Sequence, residues 1–324
     1  MKMFLGILAL AGALTFAGCG DSGKSGNDVV IGIVAKAADN PVFQAAHQGA
    51  KDAAAELSKS MGRNISVKIL TPPSENAKQQ AEAIDSLVRM GASGIAVSCS
   101  DATVVQHSID EAAGKGIPVM CFDSDAPDSK RMCYYGTDDI DGGKAVMKQL
   151  AQEMGDKGTI AIIAGNEAAP NLRRRVQGVR DELKNHPNIK EIKSGPVFHK
   201  EVSAVAAQAL QDTQRANPEI TGWALIGGWP LFTSNALPWK PGEVKLVSID
   251  ALPEQISYLQ SGHVNVLLAQ DCYGWGHKSV ELLVDKAVNK KDPPSKIIID
   301  PLTKVTKENA EEWSKKWAKW KAAN

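Results

Sequence analysis

The feature that most constrains this fold is an alternation of strands and helices that runs through the chain twice. Short apolar runs bounded by turn residues alternate with longer segments of helical periodicity. The first series predicts buried strands at Val29–Val34, Ile65–Leu70, Gly94–Ser98, Ile117–Phe122 and Met132–Gly136. Such alternation predicts parallel sheets covered by helices on both faces.

A second series of the same character begins with a helix near Asp141. Its predicted strands are Thr159–Gly165, one within Ile189–Phe198, Gly222–Gly227 and Val244–Ile249. In a chain of 324 residues, two such series imply two similar lobes with a cleft between them. The predicted fold class is therefore α/β, with two Rossmann-like lobes built on parallel sheets and a cleft suited to a ligand.

Polar residues follow the apolar strand Ile117–Phe122 at the point where it ends. They are Asp123, Ser124 and Asp125. In open parallel sheets, ligands bind beyond the carboxyl ends of the strands, so the acidic residues Asp123 and Asp125 are the first ligand-binding candidates. Ordinary turn chemistry that closes a strand is an equally good interpretation of this stretch alone.

The start of the chain predicts export. Lys2 provides a short positive region, Phe4–Phe16 is an apolar run too short to span a bilayer, and small residues precede Cys19. We predict a lipoprotein signal over residues 1–19, a lipidated Cys19 and a flexible tether over residues 20–28. An ordinary secretory signal that leaves a free Cys19 is the alternative.

The charge and the remaining cysteines exclude some functions and leave one question open. Lys and Arg total 37, as do Asp and Glu, and this balance argues against a nucleic-acid-binding surface. The cysteines after Cys19 have no CxxC spacing. Cys99 and Cys121 are expected near the ends of neighbouring strands, where a disulfide and two buried free thiols are both consistent with the sequence.

Motifs for catalysis or metal binding are lacking in the sequence. The six histidines are scattered without metal-ligand spacing, and no serine occupies a G-x-S-x-G elbow. We predict no cofactor, no metal site and no enzymatic activity.

Three tryptophans near the end of the chain, Trp313, Trp317 and Trp320, lie on one predicted helical face. Membrane-interface contact would use such a stripe, but docking of a terminal helix onto its own domain is the favoured interpretation.

Five motifs in order make the chain resemble the type I periplasmic sugar-binding proteins of ABC importers, the ribose-binding group, over about residues 29–306. The motifs are Ala38–Phe43, Ile117–Val119 leading to Asp123, Arg173–Gly178, Val247–Asp250 and Ala269–Gln270. The resemblance implies three strand crossings that form a hinge, near Gly136–Asp139, Gln270–Tyr273 and Ile298–Pro301. It implies an N-terminal lobe of residues 29–137 plus 272–298 and a C-terminal lobe of residues 138–271 plus 299–324.

The same resemblance implies a set of ligand-binding residues. It places Asn40 and Phe43 at the mouth of the cleft, a stacking aromatic at Phe198, and hydrogen-bonding groups at Asp123, Arg175, Asp250 and Gln270. Sugar hydroxyls both donate and accept, so they suit carboxylates beside guanidinium and amide groups, while sugar C–H faces suit aromatic rings.

Some positions depart from the ribose pattern. Lys36, Ser124 and Gly228 replace residues typical of ribose-binding members, and a lysine after the first strand with Asp-Ser-Asp after the fourth resembles the autoinducer-2 receptor branch. Trp229, beside Gly228, is either a stacking ring in the cleft or core packing.

The resemblance therefore implies an exported, lipid-anchored and monomeric receptor in the periplasm or another extracytoplasmic space. It would capture a neutral sugar or polyol and deliver it to an ABC permease, without a nucleic-acid partner. The alternative within this fold is a receptor for an autoinducer-like or chemotactic signal. The effector domain of a sugar-responsive repressor would require a DNA-binding helix-turn-helix where the export signal stands.

Overall fold

The computed structural model describes residues 28–321. The predicted lipoprotein signal, Cys19 and all of the predicted tether except Asp28 lie outside this range. Within it, no helix is both long enough and apolar enough to cross a membrane.

The first half of the chain forms five strands of one sheet and three helices. In chain order these are β1 (Val29–Val34), α1 (Pro41–Met61), β2 (Ile65–Ile69), α2 (Ala77–Arg89), β3 (Gly94–Val97), α3 (Ala102–Gly114), β4 (Val119–Phe122) and β5 (Cys133–Gly136). The strands match those predicted from the sequence to within two residues at each end.

The second half begins the pattern again. Its elements are α4 (Asp139–Met154), β6 (Gly158–Ala164), α5 (Pro170–Leu183), β7 (Ile189–Glu191), β8 (Val197–Phe198), α6 (Ser203–Ala216), β9 (Ile220–Leu225), β10 (Lys245–Ile249), α7 (Pro253–Ser261) and β11 (Val266–Ala269). The chain ends with α8 (Cys272–Asn289), β12 (Ile297–Ile299), β13 (Thr303–Val305) and α9 (Ala310–Lys321). A short 3-10 helix, Trp229–Phe232, lies between β9 and β10.

Two sheets organise these elements and confirm the predicted α/β class. The first has the strand order β12-β5-β4-β3-β1-β2 and is parallel throughout. The second has the order β13-β11-β10-β9-β6-β7, with β8 also paired to β6, and only β13 runs antiparallel to its neighbour. We call each sheet with the helices that cover it a lobe, the first and the second.

The chain crosses between the lobes three times, and the crossings are bonded to one another. They follow β5, β11 and β12. The Thr137 hydroxyl donates to Gln270 Oε1 at 3.1 Å, which joins the first crossing to the second. The backbone N–H of Asp300 donates to the Gly136 carbonyl at 2.8 Å, which joins the third to the first.

Local sequence explains the helix starts that face the cleft. Asn40 caps α1 by accepting the N–H of Val42 at 3.1 Å, and Pro41 suits the first helical position. Asp138 caps α4 in the same way by accepting two backbone N–H groups. These caps fix the residues at which the loops after β1 and β5 end and the helices α1 and α4 begin.

Glycines allow two pairs of helices to pack with their backbones almost in contact. On α4 and α5, a Cβ added to Gly178 would lie 2.0 Å from the carbonyl oxygen of Ile140, and one added to Gly143 would lie 2.0 Å from that of Arg175. On α8, a Cβ added to Gly276 would lie 1.7 Å from a carbonyl oxygen of α1. Real Cβ atoms do not approach carbonyl oxygens so closely, so each lobe depends on glycine at its main helix pair.

The terminal helix α9 docks onto the protein itself, which confirms the interpretation of the tryptophan stripe. Trp313 and Trp317 are buried, and Trp313 Nε1 donates to the Ala251 carbonyl at 2.7 Å. Trp320 stacks on Tyr273 of α8 with ring centroids 5.6 Å apart. The helix therefore contacts elements of both lobes.

One predicted strand is divided. Within Ile189–Phe198 the structure has the short strands β7 and β8, separated by a turn at Gly195. Gly195 has φ +74°, a left-handed conformation that breaks a strand, and Pro196 follows it.

Candidate functional site

A small cavity lies between the lobes at the carboxyl ends of their strands. Its volume is only about 20 Å³, because side chains of the two lobes are in direct contact beside it. The first lobe lines it with Lys36, Asn40, Phe43, Asp123 and Trp275, and the second with Asn171, Arg175, Glu201, Trp229, Asp250 and Gln270 among others. Eight of the predicted site residues are thus brought together.

Asp123 is the centre of the first-lobe side. It follows β4 directly and has φ +57°, which turns the chain sharply and directs the residue into the cleft. The Ser98 hydroxyl, at the end of β3, donates to Asp123 Oδ2 at 2.6 Å. Lys36, which follows β1, places its ammonium 4.0 Å from the same oxygen.

Asn171 joins the two lobes across the cavity. It is the second residue of α5, in the second lobe, and it is buried. Its Oδ1 accepts from Lys36 Nζ at 3.2 Å, and its Nδ2 donates to Asp123 Oδ1 at 3.4 Å. Sequence reasoning missed Asn171, although a polar residue after Pro170 at a predicted helix start was the available signal.

Glu201 was also missed, because it lies in a loop before α6 and no motif marks it. Burial, reinforced by Glu75, raises its pKa to about 7 even though Lys36 opposes the shift. For Lys36, burial disfavours the ammonium, but the carboxylates of Glu201 and Asp123 outweigh it and raise the pKa. The lysine therefore remains charged inside the cleft.

Arg175 organises the second-lobe side. Its guanidinium is almost fully buried and donates to Asp139 Oδ1 at 2.9 Å, to Gln270 Oε1 at 2.8 Å and to the Ile226 carbonyl at 3.2 Å. Burial raises the pKa of Asp139 to about 7, although the charge of Arg175 opposes the shift. Because Asp139 begins α4 and Gln270 follows β11, Arg175 is tied to two of the three crossings.

Asp250 occupies in the second lobe the position that Asp123 occupies in the first. It follows β10, has φ +70°, and accepts from Gln270 Nε2 at 2.7 Å. The backbone N–H of Gly228 donates to its other oxygen at 3.3 Å. Burial raises the pKa of Asp250, and the bond from Gln270 partly opposes this. Gly228 therefore supports Asp250 and does not itself line the cavity, contrary to the prediction.

Aromatic rings form the apolar part of the cavity wall. Phe43 and Trp275 lie on one side with ring centroids 6.2 Å apart, and Trp229 lies on the other. Phe198, predicted as a stacking ring, lines instead a wider neighbouring compartment of about 680 Å³ at the cleft mouth. Glu201 lines both spaces and separates them.

The structure does not bring Ser124 and Asp125 to the cavity. Ser124 is fully buried, and its carbonyl accepts the N–H of Cys99 at 3.1 Å. Asp125 pairs with Arg131, whose Nη2 donates to its Oδ2 at 2.6 Å, and Nε makes a second contact. The left-handed backbone at Asp123 turns the chain there, so the two residues after it face away from the ligand side. Within residues 28–321, no three His, Cys, Asp or Glu side chains are grouped to hold a metal ion.

Comparison with known proteins relates the whole arrangement to solute receptors. A model of the periplasmic binding protein domain matches residues 31–291. The ribose import binding protein RbsB of Bacillus subtilis is 23% identical over 157 residues, 48% of this chain and 49% of that protein. The D-apiose import binding protein of Actinobacillus succinogenes is 22% identical over 194 residues, 60% of each chain. The chain spans about half to three-fifths of the length of these curated relatives.

Among solved structures, an ABC transporter solute-binding protein from Burkholderia graminis in complex with D-arabinose is similar over most of the fold. It is 26% identical, with a TM-score of 0.76 covering 88% of this chain and 98% of that chain. These relatives are named for import or solute binding, and none of the three is named as a signal receptor.

Proposed function

Because the chain belongs to the periplasmic binding protein family, we propose that it captures a neutral sugar or sugar-like polyol between its lobes and delivers it to an ABC importer. The observation that carries the proposal is the buried set of carboxylate, guanidinium, ammonium and amide groups that lines one cavity beside aromatic rings. The names of the relatives, which include ribose, D-apiose and D-arabinose, support a small carbohydrate.

The charges in the cavity support a ligand without net charge. The cations Lys36 and Arg175 face the carboxyl groups of Asp123, Asp250 and Glu201. Since the pKa of Glu201 is about 7, this group is partly protonated at neutral pH, and the lining is then close to neutral. A sugar acid or phosphate would add an uncompensated negative charge to a buried site, which is unfavourable.

The proposed ligand-binding residues are the sequence-predicted residues that line the cavity, together with two lining residues that the sequence analysis did not identify. They are Lys36, Asn40, Phe43, Asp123, Arg175, Trp229, Asp250 and Gln270, with Asn171 and Glu201. The lobe boundaries predicted from the sequence belong to the same proposal. We propose that this set binds its ligand without transforming it, which agrees with relatives that are named as binding proteins.

Export and lipid anchoring form a separate part of the proposal. They depend on the apolar run, the small residues and Cys19 near the start of the sequence. Lipidation would hold a monomeric receptor at a membrane surface outside the cytoplasm. Labelling with a radioactive fatty acid, compared between the natural chain and Cys19→Ser, tests this part.

Thermal-shift screening of the chain from residue 20 tests ligand binding. Candidate ligands are pentoses, hexoses, deoxysugars, polyols, the corresponding sugar phosphates and autoinducer-2. A ligand at 100 times its Kd stabilises the folded state by about 2.7 kcal/mol, so a single neutral sugar should raise the melting temperature by several degrees. A response to none of these ligands would contradict the proposal, and stronger binding of a phosphate would contradict the neutral-ligand argument.

A matched pair of variants locates the site. Asp123→Asn keeps the backbone conformation but removes a charge in the cavity, and we expect it to weaken binding by about 10- to 100-fold. Asp125→Asn makes the same chemical change two residues away, outside the cavity, and should leave affinity within about twofold. Equal effects of the two variants in calorimetric titration would show that binding does not use this cavity.

A further inference from the structure

The side chains of Cys99 and Cys121 lie close together in the interior of the first lobe. Their sulfur atoms are 3.9 Å apart, and neither residue is exposed. We propose that these two cysteines form a disulfide when the chain folds under oxidising conditions. The bond cross-links the ends of β3 and β4 directly behind the ligand-facing Asp123.

The register of the sheet places the two cysteines on the same face. Val97 at the end of β3 is the partner of Cys121 on β4. The N–H of Cys99 donates to the carbonyl of Ser124 at 3.1 Å, so the two chains stay paired beyond β3. Since side chains alternate between faces, Val97, Cys99 and Cys121 share one face, and all three belong to one core cluster.

The other described cysteines do not compete for this bond. Cys133 and Cys272 lie in the core cluster on the opposite face of the first sheet. Cys133 is paired with Met120, the residue before Cys121, and therefore points to the other side. The geometry selects one pairing among the possibilities that four cysteines allow.

Closing the bond requires a small movement. A disulfide has its sulfur atoms about 2.05 Å apart, so each sulfur must move by roughly 1 Å, which rotation about the two side-chain bonds can provide. The two thiols together lose two protons and two electrons. The acceptor is a disulfide of glutathione or of a protein thiol oxidase, which is reduced to two thiols. Because both sulfurs are buried in the folded chain, the exchange takes place before the first lobe is fully packed.

The position of the bond gives it a role in the site. Cys99 directly follows Ser98, whose hydroxyl donates to Asp123, and Cys121 precedes Asp123 by two residues. A bond between them would fix the donor and its carboxylate relative to each other. It also closes a loop of about 20 residues, for which the chain-entropy account predicts a melting temperature about 5–10 °C higher than in the reduced chain.

The test uses the chain from residue 20, which contains every described residue but not Cys19. The chain is reduced, unfolded, refolded in an oxidising glutathione buffer, alkylated under non-reducing denaturing conditions, and digested for mass spectrometry. We expect alkylated Cys133 and Cys272 and a cross-linked peptide pair that contains Cys99 and Cys121 and separates on reduction. Alkylation of all four cysteines, or a cross-link through Cys133 or Cys272, would overturn the proposal.

Matched variants report the consequence of the bond. Reduction should lower the melting temperature of the natural chain and of Cys133→Ala, but not that of Cys121→Ala. An equal response of the three chains to reduction would show that the bond does not stabilise the first lobe. The refolding buffer supplies the oxidant and no ligand is added, so the result is independent of export and of the proposed sugar binding.

Discussion

The substitution Gly178→Ala tests whether the close packing of α4 and α5 supports ligand binding. The added Cβ would meet the Ile140 carbonyl oxygen at 2.0 Å, whereas carbon and oxygen atoms in close contact are about 3.3–3.6 Å apart. The obstacle is backbone, so α5 must move from α4 by more than about 1 Å. Overpacking of this kind costs about 1–3 kcal/mol, and the better helix propensity of alanine returns about 1 kcal/mol.

The difference between these two effects is a net loss of about 0–2 kcal/mol, and because the obstacle is backbone we expect a value near the upper end of this net range. A loss of about 2 kcal/mol corresponds to a melting temperature about 4–8 °C lower, measured by differential scanning calorimetry. Arg175 lies one turn before Gly178, and its bonds of 2.9 Å to Asp139 and 2.8 Å to Gln270 would lengthen beyond hydrogen-bonding distance. We therefore expect ligand affinity, measured by calorimetric titration, to fall by at least tenfold.

Gly114→Ala is the matched control. Gly114 ends α3, and a Cβ added there meets nothing within 4 Å. The control should be as stable as the natural chain or slightly more stable, with unchanged affinity. If Gly178→Ala behaved like Gly114→Ala in both measurements, the argument from helix contact would be refuted.

Three further predictions concern protonation, the terminal helix and the contact across the cleft. The pKa of Glu201 is about 7 when folded and 4.5 ordinarily, so the folded state holds this proton more tightly and gains stability as pH falls from 7 towards 4.5. Glu201→Gln should lose that part of the pH dependence of the melting temperature; an unchanged profile would contradict the assignment. Trp313→Phe keeps one six-membered aromatic ring but removes the five-membered ring of the indole and its N–H, which leaves the Ala251 carbonyl without its donor. Urea unfolding should show a loss of at least about 1–2 kcal/mol, and a neutral result would count against the bond. Asn171→Ala removes the amide that joins the lobes and should weaken ligand binding by about tenfold while changing the melting temperature of the free chain by less than 3 °C.

Much of the fold was predictable because buried parallel strands are continuous apolar runs and their helices carry clear start signals. Asp123 and Asp250 could be identified for a related reason, since both directly follow such strands. The sequence alternation also predicted that two lobes would face each other. It contained no information on how far apart they stand.

The residues that escaped prediction depend on contacts between segments distant in sequence. Asn171 matters because α5 of the second lobe approaches Lys36 of the first, a separation of 135 residues. Asp125 was expected in the cleft because, like Asp123, it follows the carboxyl end of a buried strand. The left-handed turn at Asp123 redirects the chain, and Arg131 binds the Asp125 carboxylate instead.

The left-handed backbone of Asp123 and Asp250 restricts which residues can replace them in the cavity. At φ values of +57° and +70°, aspartate, asparagine and glycine are readily accommodated, while other residues lose roughly 1–2 kcal/mol at each position. Substitutions other than asparagine or glycine are therefore disfavoured at these two positions. Lys36, Asn171 and Glu201 have no such backbone restriction, so if the proposed ligand binding is right, changes in ligand preference should accumulate at these three residues around an invariant pair.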